Sequence, residues 1–265
     1  MNTELAAYVK TELSKQKYRV FPIEFSGQKY IVKQQEARRS GLPDLILNTF
    51  TKIFGMTALR SIHIPGGKKT QDTEVKRLHQ LASLGVPVPN VIHIDDNWLV
   101  LSHMGDYQFT EVLRNPPENT AEFYWELGLA SILQIHQQGG YLSQCFVRNM
   151  IWHDNKVSFI DFEDDPAAVI GRDLAYARDW LLYLFSSVLH LKISPAEQAK
   201  VLKGFLQQEN QAVQKGVLDC ASKLNSLLRK LPRKRSALCG RDLISLSAFA
   251  ACMDELRKVH SVSVV

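Results

Sequence analysis

The sequence predicts an α+β fold with two lobes, a small β-rich N-lobe followed by a larger helical C-lobe. Short apolar or alternating runs of the kind that form strands are concentrated in the first hundred residues. Beyond them, apolar residues recur at helical spacing. With 265 residues, of which 45% are hydrophobic and 22% are charged, the chain can bury a core of ordinary globular composition. We assign residues 1–101 to the N-lobe and residues 102–265 to the C-lobe.

The N-lobe begins with a predicted amphipathic helix over residues 3–15 and a hairpin whose strands are residues 19–25 and 28–34. A Ser-Gly turn joins the two strands. Lys33 closes the second strand, and by itself a lysine in this place is typical of a solvated strand end. An insertion over residues 34–68, which carries a short predicted helix, separates the hairpin from the next element.

The next predicted helix runs over residues 73–84 and carries its apolar residues on one face. Thr70 or Asp72 is a suitable N-cap. Glu74 falls in the first turn, where the helix dipole favours a carboxylate, and that alone would explain it. The sequence Gly-Val-Pro-Val-Pro at residues 85–89 ends the helix, because proline lacks a backbone donor and restricts the residue before it.

Two short strands, residues 90–94 and 98–101, complete the predicted N-lobe. The chain then passes through residues 102–106, which we interpret as a flexible connector between the lobes. Asn119 and Glu122 have the spacing of a capping box and predict the start of a long, buried helix.

The stretch at the end of this helix carries the most informative residues. His136 lies on the apolar helix face and is predicted to be a core or interlobe residue, not a ligand. Gly139 and Gly140 end the helix. Two apolar runs around a polar turn then predict a hairpin, with Asn149 just before its first strand and Asp161 just after its second. Their side-chain oxygens suit a hard cation such as Mg²⁺, although each residue alone is also typical of a turn cap.

The rest of the chain predicts one helix that begins at Asp173 and two more over residues 195–208 and 211–231. The basic cluster at residues 229–235 is best explained as a solvated loop between helices. If the cluster binds a partner, an anionic membrane surface or a phosphorylated glycolipid suits its charge. It lacks the interleaved aromatic residues of single-stranded nucleic-acid grooves, so no nucleic-acid partner is expected.

Composition narrows the function classes further. The net charge of +5 favours anionic partners. The four cysteines are scattered without CxxC spacing, so neither a zinc site nor a disulfide framework is predicted, and a reducing, cytoplasmic setting is the simplest interpretation. The N-terminal segment lacks the apolar run of a signal peptide, and the longest apolar stretch, residues 180–191, is too short to span a bilayer.

Taken in order, these features resemble the atypical protein-kinase-like superfamily, which includes bacterial lipopolysaccharide-core (heptose and Kdo) kinases, RIO-like kinases and aminoglycoside phosphotransferases. The order is a lysine-bearing strand, a glutamate-bearing helix, Gly-Val-Pro-Val-Pro, a strand ending in a connector, a long helix, a loop with asparagine, and a strand end with Ile-Asp-Phe. The resemblance covers roughly residues 19–190. It implies a protein-kinase-like fold with a site for ATP and Mg²⁺.

The resemblance also implies a role for particular residues, each of which would contribute to the nucleotide site or to the loop beside it. These are Lys33 for the α- and β-phosphates, Glu74 as its partner, residues 101–104 with Ser102 and Met104 as the hinge against adenine, Asn149 and Asp161 for Mg²⁺, and Asp179 as a brace for the catalytic loop.

One position departs from the family pattern. The aspartate that orients the acceptor hydroxyl and takes its proton is replaced by Gln144, which lies five residues before Asn149. Glutamine accepts a hydrogen bond but has no titratable carboxylate. Glu163, Asp164 or Asp165 could substitute as the base, although a solvated acidic turn is the better explanation of these three. The glycine-rich phosphate loop is also poor, since the first hairpin turn carries one glycine.

Two functions therefore stay open. The resemblance implies an ATP- and Mg²⁺-dependent phosphotransferase that acts on a cell-envelope sugar or glycolipid, in the cytoplasm or peripherally at the inner membrane face. We favour it because the lysine, glutamate, asparagine and aspartate positions are all filled. The alternative is a pseudokinase that binds nucleotide or a partner protein without phosphoryl transfer. In a third explanation, the chain is an unrelated α+β protein in which these residues are only caps and turns.

Overall fold

A computed structural model shows the predicted two-lobed, kinase-like α+β architecture. It describes residues 2–35, 57–60, 62, 64–230 and 241–261. The helix predicted within the 34–68 insertion and most of the basic 229–235 segment lie outside these ranges. The boundary between residues 101 and 102 stays a prediction.

The N-lobe is a four-stranded antiparallel sheet with one helix packed on each side. The helix on one side, α1, spans Asn2–Leu13. The strands, in the sheet order β1-β2-β4-β3, are β1 (Val20–Phe25), β2 (Gln28–Gln34), β3 (Val91–Ile94) and β4 (Trp98–Ser102).

The alternation of β2 divides its side chains between a core and a cavity. Tyr30 and Val32 are buried in a core that they share with Val9 of α1. Ile31 and Lys33 lie on the opposite face, because successive residues of a strand point to opposite sides. Since β2 pairs with β1 on one side and β4 on the other, this opposite face belongs to the middle of the sheet.

The second N-lobe helix, α2, spans Gly67–Ser83 and begins earlier than predicted. Its N-cap is Gly66, whose φ of 79° is the left-handed conformation that glycine tolerates. The predicted cap at Thr70 or Asp72 is therefore wrong, and the Thr70 hydroxyl instead accepts a hydrogen bond from Gly66 N at 2.9 Å. Glu74 lies about two turns into the helix, so the explanation from the helix dipole is also wrong.

The C-lobe consists mainly of helices around a small three-stranded sheet of order β5-β6-β7. The short connector ends in β5, and β6 and β7 form the predicted hairpin with its Asp-Asn turn. The strand β5 and the helices α3, α5 and α9 were not predicted. The elements are β5 (Tyr107–Gln108), α3 (Phe109–Arg114), α4 (Ala121–Gln137), β6 (Met150–His153), β7 (Lys156–Phe159), α5 (Ala167–Ile170), α6 (Arg172–Ser187), α7 (Pro195–Leu206), α8 (Gln211–Lys230) and α9 (Arg241–Ser261).

The long helix α4 is capped by a different residue from the one predicted. Thr120 is the N-cap, and its hydroxyl accepts a hydrogen bond from Phe123 N at 3.2 Å. The Glu122 carboxylate does not close a capping box with Asn119, because it accepts a hydrogen bond from Lys192 N at 2.8 Å. The prediction of the helix is confirmed, but the prediction of its cap is wrong by one residue.

Helices α4 and α6 form the centre of the C-lobe core. Gly128 on α4 allows their close approach, since a Cβ there would collide with the ring of Tyr183. The Tyr183 hydroxyl donates to the Trp125 carbonyl at 2.9 Å, and the Trp125 indole donates to the Ser187 hydroxyl at 3.1 Å. These contacts fix the helix that leads into the candidate site. Among the helices of the described ranges, none is long and apolar enough to cross a membrane.

Candidate functional site

Lys33 lies among three carboxylates, in the middle of the N-lobe sheet. Its side chain is 8% exposed. The ammonium group contacts Glu74 Oε1 at 2.7 Å, Asp161 Oδ1 at 3.1 Å and Glu163 Oε1 at 2.8 Å. Burial lowers the pKa of Lys33, but the three carboxylates outweigh burial and raise it above its ordinary value. The expectation of a solvated strand end is therefore wrong, because β4 and α2 cover this end of β2.

Glu74 is the most deeply buried of the three carboxylates, at 2% exposure. Burial raises the pKa of its carboxyl group, and the ion pair with Lys33 opposes that rise. Breaking a buried pair on one side leaves an uncompensated charge, which costs about 3–5 kcal/mol. The pair therefore ties α2 to the sheet.

Asn149 and Asp161 lie together at the open end of the β6–β7 hairpin, as predicted, with Asn149 just before β6 and Asp161 just after β7. A 3-10 turn over Val147–Asn149 leads into β6, and Ile160 N donates to the Asn149 carbonyl at 2.9 Å. The Asn149 amide nitrogen donates to the Gln144 carbonyl at 3.0 Å. Since a carbonyl only accepts hydrogen bonds, this contact fixes the amide orientation and leaves Asn149 Oδ1 as an oxygen for other partners.

The backbone of Asp161 has a φ of 71°, in the left-handed region that residues other than glycine rarely adopt. Such a conformation costs of order 1–3 kcal/mol and persists only where the surrounding structure enforces it. Phe162, the next residue, is fully buried and anchors the segment. The strained backbone directs the Asp161 carboxylate toward Lys33.

A cavity of about 310 Å³ lies between the N-lobe sheet and the β6–β7 hairpin. Lys33, Asn149 and Asp161 line it together with a set of apolar side chains. Those apolar residues are Val20, Ile31, Leu78, Pro89, Leu101, Met104, Ile151 and Ile160. An apolar cleft with a few convergent polar groups is typical of a small-molecule site.

The predicted hinge residues Ser102 and Met104 both lie on the wall of this cavity. The Ser102 hydroxyl accepts a hydrogen bond from Asn90 N at 2.8 Å, so it connects two neighbouring strands. Gly105 follows with a φ of 125°, and a Cβ there would come within 2.7 Å of the His153 side chain. Only glycine therefore allows the connector to pass this close to β6.

The loop between α4 and β6 holds Gln144 at the position that the resemblance assigns to a catalytic aspartate. Gln144 is half-buried, and its carbonyl is held by Asn149 and by Phe146 N. Ser143, with a φ of 71°, is fully buried, and its hydroxyl donates to the Asp164 carbonyl at 3.0 Å. The loop is therefore rigidly held even though its titratable residue is missing.

Asp179 of α6 contacts the same loop. Its Oδ2 accepts a hydrogen bond from Leu142 N at 2.6 Å and lies 3.3 Å from His136 Nε2. The other nitrogen of His136 lies 2.6 Å from Glu209 Oε1, and the imidazole ring stacks on Tyr176 with 4.1 Å between ring centroids. Burial lowers the pKa of His136, but hydrogen bonds to the two carboxylates outweigh it and raise the pKa. The predicted position of His136 in the core is confirmed.

The acidic turn after Asp161 is not solvated, so that expectation is wrong. Glu163 is 7% exposed and Asp164 is 5% exposed. Burial raises the pKa of Asp164 to about 6, against the opposing charge of Arg178. Asp165 accepts a hydrogen bond from the Tyr141 hydroxyl. In the described structure, none of the three acidic residues lines the 310 Å³ cavity.

Comparison with known proteins agrees with this geometry. Residues 66–166 match the family model of the RIO domain, a domain of the atypical protein-kinase-like superfamily. Over this stretch, the chain is similar to members of that superfamily. The matched stretch contains Glu74, Asn149 and Asp161 of the kinase-like site and excludes Lys33. An uncharacterized protein of Haemophilus influenzae is 26% identical over 189 residues, which make up 68% of this chain and 70% of that protein.

Arg19 is a residue of the kinase-like site that sequence reasoning missed. It lies immediately before β1, lines the cavity, and donates to Glu163 Oε1 at 2.7 Å. A single arginine before a strand has no pattern that distinguishes it from a solvated residue. Only the fold brings it next to a segment 144 positions away.

The oxygen ligands at this kinase-like site suit Mg²⁺. Among the described residues, no group of three or more His, Cys, Asp or Glu side chains could hold a metal ion on its own. Mg²⁺ usually keeps several waters and binds one or two protein carboxylates together with substrate phosphates. Asp161 and Asn149 Oδ1 are oxygen ligands of this kind, and their role in binding stays a prediction.

Proposed function

We propose that this protein binds ATP with Mg²⁺ in the 310 Å³ cavity and transfers the terminal phosphoryl group to a cell-envelope sugar or glycolipid. The observation that carries the proposal is the buried Lys33–Glu74 pair, whose ammonium group also contacts Asp161. A lysine held at the polar end of an apolar cleft is suited to a nucleotide whose base is apolar and whose phosphates are anionic.

The cavity fits the two halves of a nucleotide. Ile31, Leu101 and Ile160 offer apolar surface for a purine ring. At the other end, Lys33 would contact the phosphates, while Asn149 and Asp161 would hold Mg²⁺. When bound, the metal neutralises charge on the transferring phosphoryl group.

A second cavity supports an anionic acceptor. It has a volume of about 460 Å³ and is lined by Arg148, the residue before Asn149, and by Arg114. The Arg148 guanidinium lies 4.2 Å from the centre of the Phe146 ring, which holds it at the cavity wall. Arginine is well suited to phosphate groups, so a phosphorylated sugar or lipid headgroup matches this lining.

The second candidate function is a pseudokinase that binds nucleotide or a protein partner without transferring a phosphoryl group. Gln144 favours it, because glutamine cannot take a proton from an acceptor hydroxyl near neutral pH. Phosphoryl transfer depends mainly on positioning and electrostatics, and a general base typically contributes ~10²–10⁴-fold. We therefore expect slow transfer, and we rank the enzyme first.

Thermal unfolding with and without Mg-ATP tests nucleotide binding. Ligand at about 100 times its Kd should stabilise the protein by about 2.7 kcal/mol. No shift at millimolar Mg-ATP would refute both nucleotide-binding functions.

Turnover of ATP by wild type, Asp161→Ala and Gln144→Asp then separates the two functions. An enzyme is active as wild type and loses that activity in Asp161→Ala. A pseudokinase binds Mg-ATP, shows the same background rate as Asp161→Ala, and gains activity, if at all, only in Gln144→Asp.

A further inference from the structure

We infer that Arg19 is a second phosphate-binding residue of the nucleotide site, and that Glu163 holds it beside Lys33. The inference rests on the proposed nucleotide binding. It adds a subsite for the polyphosphate chain, formed by one cation just before β1, one cation on β2, and the carboxylate between them.

The two cations converge on a single atom. Arg19 Nη1 lies 2.7 Å from Glu163 Oε1, and Lys33 Nζ lies 2.8 Å from the same oxygen. Two like charges this close repel each other unless an anion lies between them. The oxygen of Glu163 therefore has the surroundings that an oxygen of a phosphate group would require.

The two cations of the subsite, and not its carboxylate, lie on the wall of the cavity. Arg19 and Lys33 both line the 310 Å³ cavity, and Glu163 does not. The Arg19 side chain is 26% exposed, whereas that of Glu163 is 8% exposed. A polyanion that enters the cavity thus meets the guanidinium and the ammonium group, with the carboxylate behind them.

The backbone around the subsite is fixed on both sides. Gln34 N donates to the Arg19 carbonyl at 2.9 Å, which places Arg19 at the edge of the β1–β2 pair. Glu163 follows the fully buried Phe162. Its carboxylate oxygen lies within ion-pair distance of both Arg19 and Lys33.

An arginine side chain can bind a carboxylate and a phosphate group at the same time. Its guanidinium has five N–H donors in a fixed planar fork, so one edge can hold a carboxylate while another reaches a phosphate oxygen. Lys33 is already shared among three carboxylates. Arg19 therefore adds a second positive charge where Lys33 alone would face the three carboxylates of Glu74, Asp161 and Glu163.

The geometry predicts opposite effects for two substitutions. Arg19→Gln removes a charge-assisted contact to phosphate and should weaken ATP binding at least about tenfold. Glu163→Gln keeps a polar side chain but removes the competing negative charge, and should strengthen ATP binding by about threefold to tenfold. Adenosine lacks phosphates, so its affinity should change less than about twofold in either variant.

Calorimetric titration of the full-length protein provides the test, with Mg-ATP, inorganic tripolyphosphate and adenosine as separate probes. The matched control is Lys29→Gln on the same hairpin, because Lys29 is exposed, pairs with Asp106 and does not line the cavity. Arg19→Lys retains the positive charge, and we expect it to recover most of the affinity that Arg19→Gln loses. Thermal unfolding without ligand identifies any variant that fails to fold, and Arg19→Lys then serves in place of Arg19→Gln, with an intermediate loss expected.

The outcomes separate the inference from the function on which it rests. Weaker binding of ATP and tripolyphosphate in Arg19→Gln, with adenosine and Lys29→Gln unchanged, supports the subsite. If wild type binds ATP and Arg19→Gln binds it equally well, or loses ATP and adenosine alike, the subsite is refuted while nucleotide binding stands. Binding of tripolyphosphate without ATP would keep the subsite and refute the nucleotide function. If wild type binds neither Mg-ATP nor tripolyphosphate, both the subsite and the proposed nucleotide binding are refuted.

Discussion

Two buried charge clusters contribute to the candidate site, and they differ in whether their charged groups can contact a ligand. The lysine cluster consists of Lys33, Arg19, Glu74, Asp161 and Glu163, and it opens on the 310 Å³ cavity. Its cations stay charged at every physiological pH. Such a cluster can exchange a carboxylate contact for a phosphate contact when a ligand enters.

The histidine cluster, by contrast, is closed. It consists of His136, Asp179 and Glu209, whose side chains are 1%, 0% and 5% exposed. Its only cation is an imidazolium, the one side-chain charge whose ordinary pKa lies near neutrality. No ligand can enter it, and its contact with Leu142 N extends to the loop that holds Gln144 and Asn149. This difference indicates that the lysine cluster is suited to binding a ligand, whereas the histidine cluster supports the loop.

The largest expected effect is on stability, in the histidine cluster. His136→Leu leaves the Asp179 and Glu209 carboxylates buried without their cation, and we expect it to lower the free energy of unfolding by about 3–5 kcal/mol. Urea denaturation measures this change. His153→Leu is the control, because His153 is exposed, and it should change stability by less than about 0.5 kcal/mol. Equal, small losses in both variants would show that the histidine cluster contributes little to the fold.

The second effect concerns ligand binding, which should depend on the lysine cluster. Lys33→Met should abolish the thermal shift that Mg-ATP causes, since phosphates lose their principal cation. Its stability loss should be about 3–5 kcal/mol, comparable with that of His136→Leu, because Glu74 is left buried without its cation. Thermal unfolding with and without Mg-ATP measures both quantities. A normal Mg-ATP shift in Lys33→Met would contradict the assignment of the lysine cluster as the binding cluster.

The smallest expected effect is a pH dependence that belongs to one cluster only. Because the pKa of His136 is raised in the folded protein, its contribution to stability is complete below about pH 6.5 and is lost as the pH rises through the folded-state pKa. Each unit by which the pKa of His136 is raised adds about 1.4 kcal/mol to the free energy of unfolding at low pH. The pKa of Lys33 is raised from 10.5, so the contribution of Lys33 to stability stays constant between pH 6.5 and 9.

Urea denaturation across that pH range should therefore show wild type losing stability while His136→Leu changes much less. A parallel decline in the two proteins would assign the pH dependence to other groups.

The order of the two hairpins and of the helices α1, α2, α4, α6, α7 and α8 could be predicted from sequence because each of these elements has a local signal, whereas α3, α5 and α9 were not predicted. Apolar alternation identified the β1–β2 hairpin, and the polar turn between two apolar runs identified β6–β7. Glycines identified the end of α4. The caps of α2 and α4 were predicted wrongly, since several neighbouring polar residues could each have capped the helix and tertiary contacts selected among them. In α4, for example, the Thr120 hydroxyl caps the helix, while the Glu122 carboxylate accepts a hydrogen bond from Lys192 N.

The site was predictable only where a residue type is unusual for its local context. Asn149 and Asp161 were recognisable because one precedes the first strand and the other follows the second strand of the same hairpin. Arg19, Glu163 and Glu209 gave no such signal, because charged residues beside strands and turns are normally solvated. The fold places these three against opposite charges that are far away along the chain.

The sequence by itself determined the fold class, the hairpins, the long helices and the presence of glutamine where a catalytic aspartate was expected. These features depend on short-range periodicity and on residue identity, which the linear order contains. The tertiary structure alone decided which charges are buried together. A charge remains buried only where opposite charges from distant segments compensate its lost hydration, and that condition is met by Lys33 among three carboxylates and by His136 between two.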